Sequence, residues 1–366
     1  MFILEEPYVS DLMIKTLKEN NFEVFKNDFA KDFDLNFTDV ITNKVYSNSE
    51  NSIDLVLKDQ NSSLSKIIEI CKDKSLFREK LSDIYTNFFY KNVRFDELET
   101  VDNLPFPVII KPSVGFLSLG VHKVKTSDEW KNTVKLLKEE VKTFKTLFPE
   151  KVLNSNNFII EEVIEGEEYA IDAYYDKNGK PVIIDIFKHP FASDGDVSDR
   201  IYLTSKKIIM DNFKDFQNLL VVLGEKLNLK NFPLHIEVRK NDKEVIPIEI
   251  NPMRFAGWCT TDTAYYAYGI NVYEYFEKEL VPNWDEILKN KGDETYYFAM
   301  AETPADIDKN NMKFDYDAFK LNFSNILEFR EIDYKKKPLF AILFGYVTDK
   351  KEIEKILKLN TSDYIK

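Results

Sequence analysis

The 366-residue sequence is 44% hydrophobic and 31% charged, with a formal net charge of −13. That balance is globular rather than disordered, and the chain is long enough for two or three domains with substantial cores. No basic run stands against the negative field, which excludes nucleic acid and anionic membrane surfaces as expected partners.

Only Cys71 and Cys259 occur, so there is no disulfide framework and a reducing cytoplasm is expected. With three histidines they argue against a zinc site. No apolar run approaches the ~20 residues of a membrane span. The N-terminus lacks a basic region followed by an apolar stretch, so no leader is expected. Glycine is scarce, at 10 residues, and four of them (Gly115, Gly120, Gly166, Gly257) fall inside the motifs below. A chain this sparing keeps glycine where the backbone demands it.

Phe2–Leu4 opens as a short buried strand, followed by a helical segment from Ser10 to Asn20 with Leu12, Met13 and Leu17 on one face. Further strands are expected over 22–25, 39–41 and 53–57, making a small open α/β sheet. A ligand crevice is expected at the strand ends, where Glu5, Glu6, Pro7 and Tyr8 stand; an ordinary loop explains them equally well. Helices follow over 64–71 and 75–87, with Lys74 between them.

Past Pro105-Phe106-Pro107, the stretch Val108-Ile109-Ile110-Lys111 reads as a strand, then a loop in which Gly115 and Gly120 bracket Ser118. A strand-end lysine facing such a loop suits phosphate, with backbone N–H groups and a hydroxyl contacting oxygens. The P-loop spacing itself is absent. Ser127 is expected to cap a long helix to Leu147, with Asp128 and Glu129 in its first turn.

Phe158–Ile160 leads into EEVIEGEEYAIDAYY, where Glu168, Ala170 and Asp172 share one strand face. A turn at Asn178-Gly179 connects to a strand over 182–187. The polar segment 188–205, with His189, Asp199 and Arg200, is long enough to lie over a site, though a plain surface loop is the commoner case. A helix over 213–227 precedes the most informative stretch, LHIEVRKNDKEVIPIEINPMRFAG at 234–257. Both of its halves alternate with period two around Asn241-Asp242-Lys243, which is a β-hairpin signature. With the turn centred on Lys243, Glu237 falls opposite Glu249, and Asn251 shares their face. Leu234, Ile236 and Val238 then meet Ile246, Ile248 and Ile250 on a core face. Two carboxylates about 5 Å apart at Cβ repel each other. Two carboxylates and an amide suit Mg²⁺, which keeps water and shares substrate phosphates; a solvated hairpin face is the competing explanation. A helix over 261–280, strands over 296–301 and 339–346 and a final helix over 351–359 complete the chain.

Taken in this order, Asp73-Lys74, VIIKP at 108–112 with its Gly-Ser-Gly loop, EEVIEGEE at 161–168 and HIEV…IEINPMR through Arg254 resemble the ATP-grasp superfamily of carboxylate–amine ligases. The resemblance covers about Lys74 to Gly269. It implies a mixed α/β and α+β fold: an N-terminal α/β domain over 1–72 and an ATP-grasp domain over 73–290, whose lid subdomain covers about 100–162 and whose second subdomain binds metal. A small C-terminal α+β lobe over 291–366 completes it. Cofactors implied are ATP and Mg²⁺, with Mn²⁺ as the substitute. Lys111 resembles the lysine that bridges phosphates, Lys74 an earlier nucleotide lysine and Ser118 part of the phosphate cover. Backbone groups of Glu161 or Glu162 and of Ile164 resemble the adenine-reading hinge, and Glu168 the acid on the ribose. Glu237, Glu249 and Asn251 match the metal ligands. Arg254 matches the basic residue near the transferring phosphate, one place later than in the common asparagine-proline-arginine form. The implied partners are a small carboxylate and an amine, with a homodimer open. A nucleotide-binding module without turnover is the alternative from another class.

Overall fold

The computed structural model describes residues 1–5, 9–26, 44–53, 57, 62–115, 120–147, 156–193, 200–304 and 307–366. The chain forms two compact units, one of residues 1–58 with 167–366 and the other of 59–166.

The first unit begins with β1 (Phe2–Leu4), α1 (Asp11–Glu19), β2 (Val24–Lys26) and β3 (Tyr46–Ser47). These strands make a parallel sheet in the order β2-β1-β3, the small α/β sheet expected from the sequence. The Ser10 hydroxyl accepts from Met13 N and starts α1, and Met13, Thr16 and Leu17 face inward. Glu5 is buried and exchanges backbone hydrogen bonds with the Asn48 amide, while Glu6, Pro7 and Tyr8 lie outside the described residues. The strand expected over 39–41, and most of that over 53–57, also lies outside them.

The second unit comprises α2 (Ser63–Lys72), α3 (Lys74–Leu81), β4 (Tyr90–Arg94), β5 (Val108–Pro112), β6 (His122–Val124), α4 (Ser127–Leu147) and β7 (Asn157–Glu162). Its strands pair antiparallel in the order β4-β7-β5-β6. One face packs Val108, Ile110, Val124, Phe158 and Ile160 against Trp130, Val134, Leu137 and Val141 of α4. The start of α4 differs from the expectation by one residue: the Thr126 hydroxyl accepts from Glu129 N, so threonine rather than Ser127 is the cap. Asp73 caps α3, accepting from Ser75 N and Leu76 N, and α3 ends at Leu81 rather than Asn87.

The first unit resumes with β8 (Glu167–Tyr175), β9 (Pro181–Lys188), β10 (Ile201–Thr204), α5 (Lys206–Leu227), β11 (Phe232–Lys240) and β12 (Val245–Pro252). Beyond them lie α6 (Thr263–Tyr268), α7 (Val272–Lys278), α8 (Trp284–Lys289), β13 (Thr295–Glu302), α9 (Tyr316–Lys320), β14 (Ile326–Glu331), β15 (Leu339–Val347) and α10 (Lys350–Leu357). Eight strands form one sheet in the order β12-β11-β8-β9-β10-β13-β15-β14, so the C-terminal strands extend the sheet that carries the hairpin. Ile201, Leu203, Tyr297, Ala299 and Leu343 pack under α9 and α10 through Phe319, Ile353, Ile356 and Leu357. Tyr202, Phe298 and Phe344 alternate with them and join Ala170 and Phe187 in a second core. Helix α5 approaches β8 so closely that a Cβ on Gly224 would lie 2.4 Å from Tyr175 Cε1, which is why that helical position is glycine.

Three further expectations fail locally. The helix expected over 261–280 is broken at Gly269, whose φ of 72° ends α6, and α7 restarts at Val272 behind the Asn271 cap. The hairpin register follows the expectation from Leu234 to Glu237, then slips at a β-bulge. Beyond it Val238 pairs with Pro247 and Arg239 with Ile246, so two of the three expected isoleucine pairings do not form. The segment 188–205 is partly strand, since β10 occupies 201–204.

Candidate functional site

In the second unit the sequence-derived residues gather on the sheet face away from α4. Lys111 and Glu161 alternate with the core residues Ile110 and Ile160, so the pleat turns both to that face. Helix α3 delivers Arg78 there. Lys111 Nζ lies 2.6 Å from Glu161 Oε2, and Arg78 Nε donates to Glu161 Oε1. All three are buried, at 6%, 2% and 3% exposure. Burial alone would raise the Glu161 carboxyl, but Arg78 and Lys111 hold it down at about 2. Burial lowers the Lys111 ammonium, Arg78 and Lys74 add to that, and Glu161 opposes it.

Lys74 sits at the start of α3, with its backbone N–H on Ser113 O and its ammonium 3.4 Å from Gly115 O. The Glu162 side chain accepts from Phe89 N. Among the described residues the backbone of Ile164 makes no hydrogen bond. Ser118 lies outside the described residues.

In the first unit, three adjacent strands line up cross-strand rows on the hairpin's carboxylate face. Asp172, His235 and Asn251 form one row, Ala170, Glu237 and Glu249 the next, and Glu168, Arg239 and Ile246 the third. Asn251 is buried at 4%, while Glu237 and Glu249 are half-buried. His235 Nδ1 donates to Asp172 Oδ1 at 2.8 Å, and its Nε2 lies 3.8 Å from Glu237 Oε1. Ala256 N donates to the same Asp172 oxygen at 2.9 Å, tying the loop after the hairpin to the sheet.

Glu168 is engaged rather than exposed. Arg239 donates to its Oε2 through Nε and Nη2, at 3.1 and 2.8 Å, and His189 Nδ1 lies 3.2 Å from Oε1. His189 in turn stacks on Tyr202, with centroids 4.4 Å apart. Arg254 pairs with Glu50 Oε1 through Nε and Nη2, at 3.1 and 2.6 Å. Burial would lower its guanidinium, but Glu50 outweighs that and raises it. Asp262 does not pair with Arg254; it accepts from Arg330 Nη2 and from the Tyr273 hydroxyl, at 2.8 and 2.7 Å. Met253, just before Arg254, has a φ of 65°, rare for a residue with a side chain.

Sequence reasoning missed Arg78, Arg239, His189 and Glu50 as partners. Arg78 left a signal, four residues after Lys74 on one helix face, and His189 stood in the segment long enough to lie over a site. Among the described residues no group of three or more His, Cys, Asp or Glu side chains is arranged to hold a metal by itself. The donor set at the hairpin is two carboxylates and one amide. That all-oxygen, incomplete set suits a hard cation whose remaining ligands are water and substrate oxygens, and it does not suit zinc. No helix among the described residues is long and apolar enough to cross a membrane.

Residues 104–262 match the family model of the ATP-grasp domain. No curated protein matches the chain. Among solved structures, an L-amino acid ligase from Bacillus licheniformis aligns over 100% of this chain and 96% of its own, at 13% identity and TM-score 0.66. N5-carboxyaminoimidazole ribonucleotide synthetase from Thermotoga maritima aligns over 100% and 98%, at 15% identity and TM-score 0.63. Phosphoribosylglycinamide synthetase from Anaerococcus prevotii aligns over 100% and 98%, at 14% identity and TM-score 0.56. At such identities the likeness is one of fold.

Proposed function

From the match of residues 104–262 to the ATP-grasp domain, we propose that the chain is an ATP-dependent ligase joining a small carboxylate, amino acids among the candidates, to an amine. The observation that carries the reading is the opposition of Glu237 and Glu249 across the hairpin, with Asn251 on their face. Mg²⁺ bound by these three residues would offset the repulsion of two like charges in register and neutralise phosphate oxygens.

In this reading the carboxylate oxygen attacks the γ-phosphorus of ATP and ADP leaves. The amine nitrogen then attacks the acyl carbon and phosphate leaves. The chain's own work is positioning and charge neutralisation. Lys111, Lys74 and Ser118 hold phosphates, the backbone of Glu161, Glu162 and Ile164 reads adenine, and Glu168 holds the ribose hydroxyls. The Glu161 side chain is already committed to Lys111 and Arg78, which leaves the base to backbone groups of this segment. Arg254 faces charge developing on the transferring phosphoryl group, where a planar guanidinium fork is well suited. No dedicated base is required, because a neutral amine is already nucleophilic.

The test is ADP release by the purified chain with ATP and Mg²⁺, screened over the amino acids singly and in pairs. Release that depends on both a carboxylate and an amine supports the ligase. ATP binding with no acceptor-dependent release over the whole panel counts against it.

A further inference from the structure

The Lys111–Glu161 pair holds more positive charge than it neutralises. Arg78 and Lys111 are both buried, each takes one oxygen of the same carboxylate, and Lys74 is near enough to act on the Lys111 ammonium. Among the described residues Glu161 is the one acid whose charge registers at Lys111, so three cations there face one carboxylate.

Arg78 shows where the excess lies. Its Nε is spent on Glu161, and its guanidinium carbon sits 4.6 Å from the centre of the Phe88 ring. Nη1 and Nη2 are buried, and neither has a hydrogen-bond partner among the described residues. Ser113 Oγ, two residues beyond Lys111 and just past the end of β5, is buried and has no hydrogen-bond partner among the described residues either. Native folds rarely strand three such groups in one neighbourhood, because each forfeits its hydration with nothing in return. A guanidinium with both terminal amines idle beside two lysines is complementary to a multi-oxygen anion, and its fork matches phosphate.

We propose that Arg78 is an anion-binding residue that donates through Nη1 and Nη2 to a phosphate oxygen of a di- or triphosphate ligand, with Glu161 setting its orientation. Glu161 shares the cations in the free protein, and the arriving phosphate supplies the second counter-charge. The inference deepens the nucleotide reading above and rests on it only for the nucleoside part of the ligand.

The experiment is calorimetry on the full chain with ADP, adenosine and inorganic pyrophosphate, comparing wild type, Arg78→Met and Arg78→Lys, with a melting curve on each protein. Arg78→Met is expected to weaken ADP and pyrophosphate by about tenfold or more and adenosine by less than about twofold. Arg78→Lys, which keeps charge without the fork, should fall between; it also stands in if Arg78→Met does not fold. Equal losses for adenosine and ADP would make Arg78 purely structural and overturn the proposal. So would unchanged affinities, or a wild type that binds neither ADP nor pyrophosphate. Pyrophosphate binding that depends on Arg78 in a chain lacking ligase turnover would uphold this site while the ligase reading fails.

Discussion

Glu237 of β11 lies directly opposite Glu249 of β12. The in-register half of the hairpin otherwise pairs apolar residues, as Ile236 with Ile250, or sets histidine beside an amide, as His235 with Asn251. Like charges in that geometry work against the sheet. Under the proposed function a Mg²⁺ ion would be the third member of the pair.

Glu249→Gln therefore separates stability from function. Without metal the variant should melt at or slightly above the wild-type temperature, since one repulsion is gone. Its Mg²⁺-dependent turnover should fall by about a hundredfold or more, the scale of losing a preorganised charge contact. Near wild-type ADP release in the variant would remove the hairpin from the chemistry.

Lys111→Ala should weaken ATP by about tenfold or more, a charge-assisted hydrogen bond being worth roughly 1.5–3 kcal/mol. The same change leaves Glu161 with Arg78 as its counter-charge, so no buried charge stands alone and the fold should tolerate it. Calorimetry showing an unchanged ATP affinity would return Lys111 to a structural role.

The acid limb of stability should report Glu161. Its carboxyl is held at about 2, below the ordinary 4.5. A depressed acid contributes stability above its unfolded value and loses it as pH falls toward the folded one. Wild type should thus lose stability between about pH 4.5 and 2. Glu161→Gln should flatten that part of the curve and cost about 3–5 kcal/mol at neutral pH, because two buried cations lose their counter-ion. Urea midpoints at several pH values would show it; an unchanged acid slope would mean that other carboxylates dominate.

Gly224→Ala pits two effects against each other. Alanine gains about 1 kcal/mol in a helix interior. The new Cβ would lie 2.4 Å from Tyr175 Cε1, and that ring is fully buried with its hydroxyl on Leu220 O. Overpacking of this kind costs about 1–3 kcal/mol or more, so the net effect should be destabilising. A midpoint at or above wild type would show that α5 can move off the sheet.

Arg254→Lys should lower kcat by about ten- to a hundredfold while the KM for ATP changes less than about threefold, as for an interaction that strengthens in the transition state. Glu50→Gln should act in the same direction, because Glu50 aims the guanidinium through two nitrogens. Unaltered kinetics in both variants would mean that the one-residue displacement of this arginine has taken it out of the reaction.

The sequence alone determined what is written locally. Alternation with period two, the turn residues at 241–243 and the helical spacing of Leu12, Met13 and Leu17 act over a few residues, so β11, β12 and α1 were legible, as was the opposition of Glu237 and Glu249. The slip at the bulge was not, because an extra residue in one strand is decided by how that strand packs. Side-chain partners across long separations were also invisible: Arg78 finds Glu161 across 83 residues and Arg254 finds Glu50 across 204. Nothing in the chain order marks such pairs. They form because burying a charge is tolerable only beside its opposite, and which opposite lies within reach is settled when helices and strands pack. The same holds for the C-terminal strands: their hydrophobic runs announced them as strands, but only the assembled sheet decided that they extend the one carrying the hairpin.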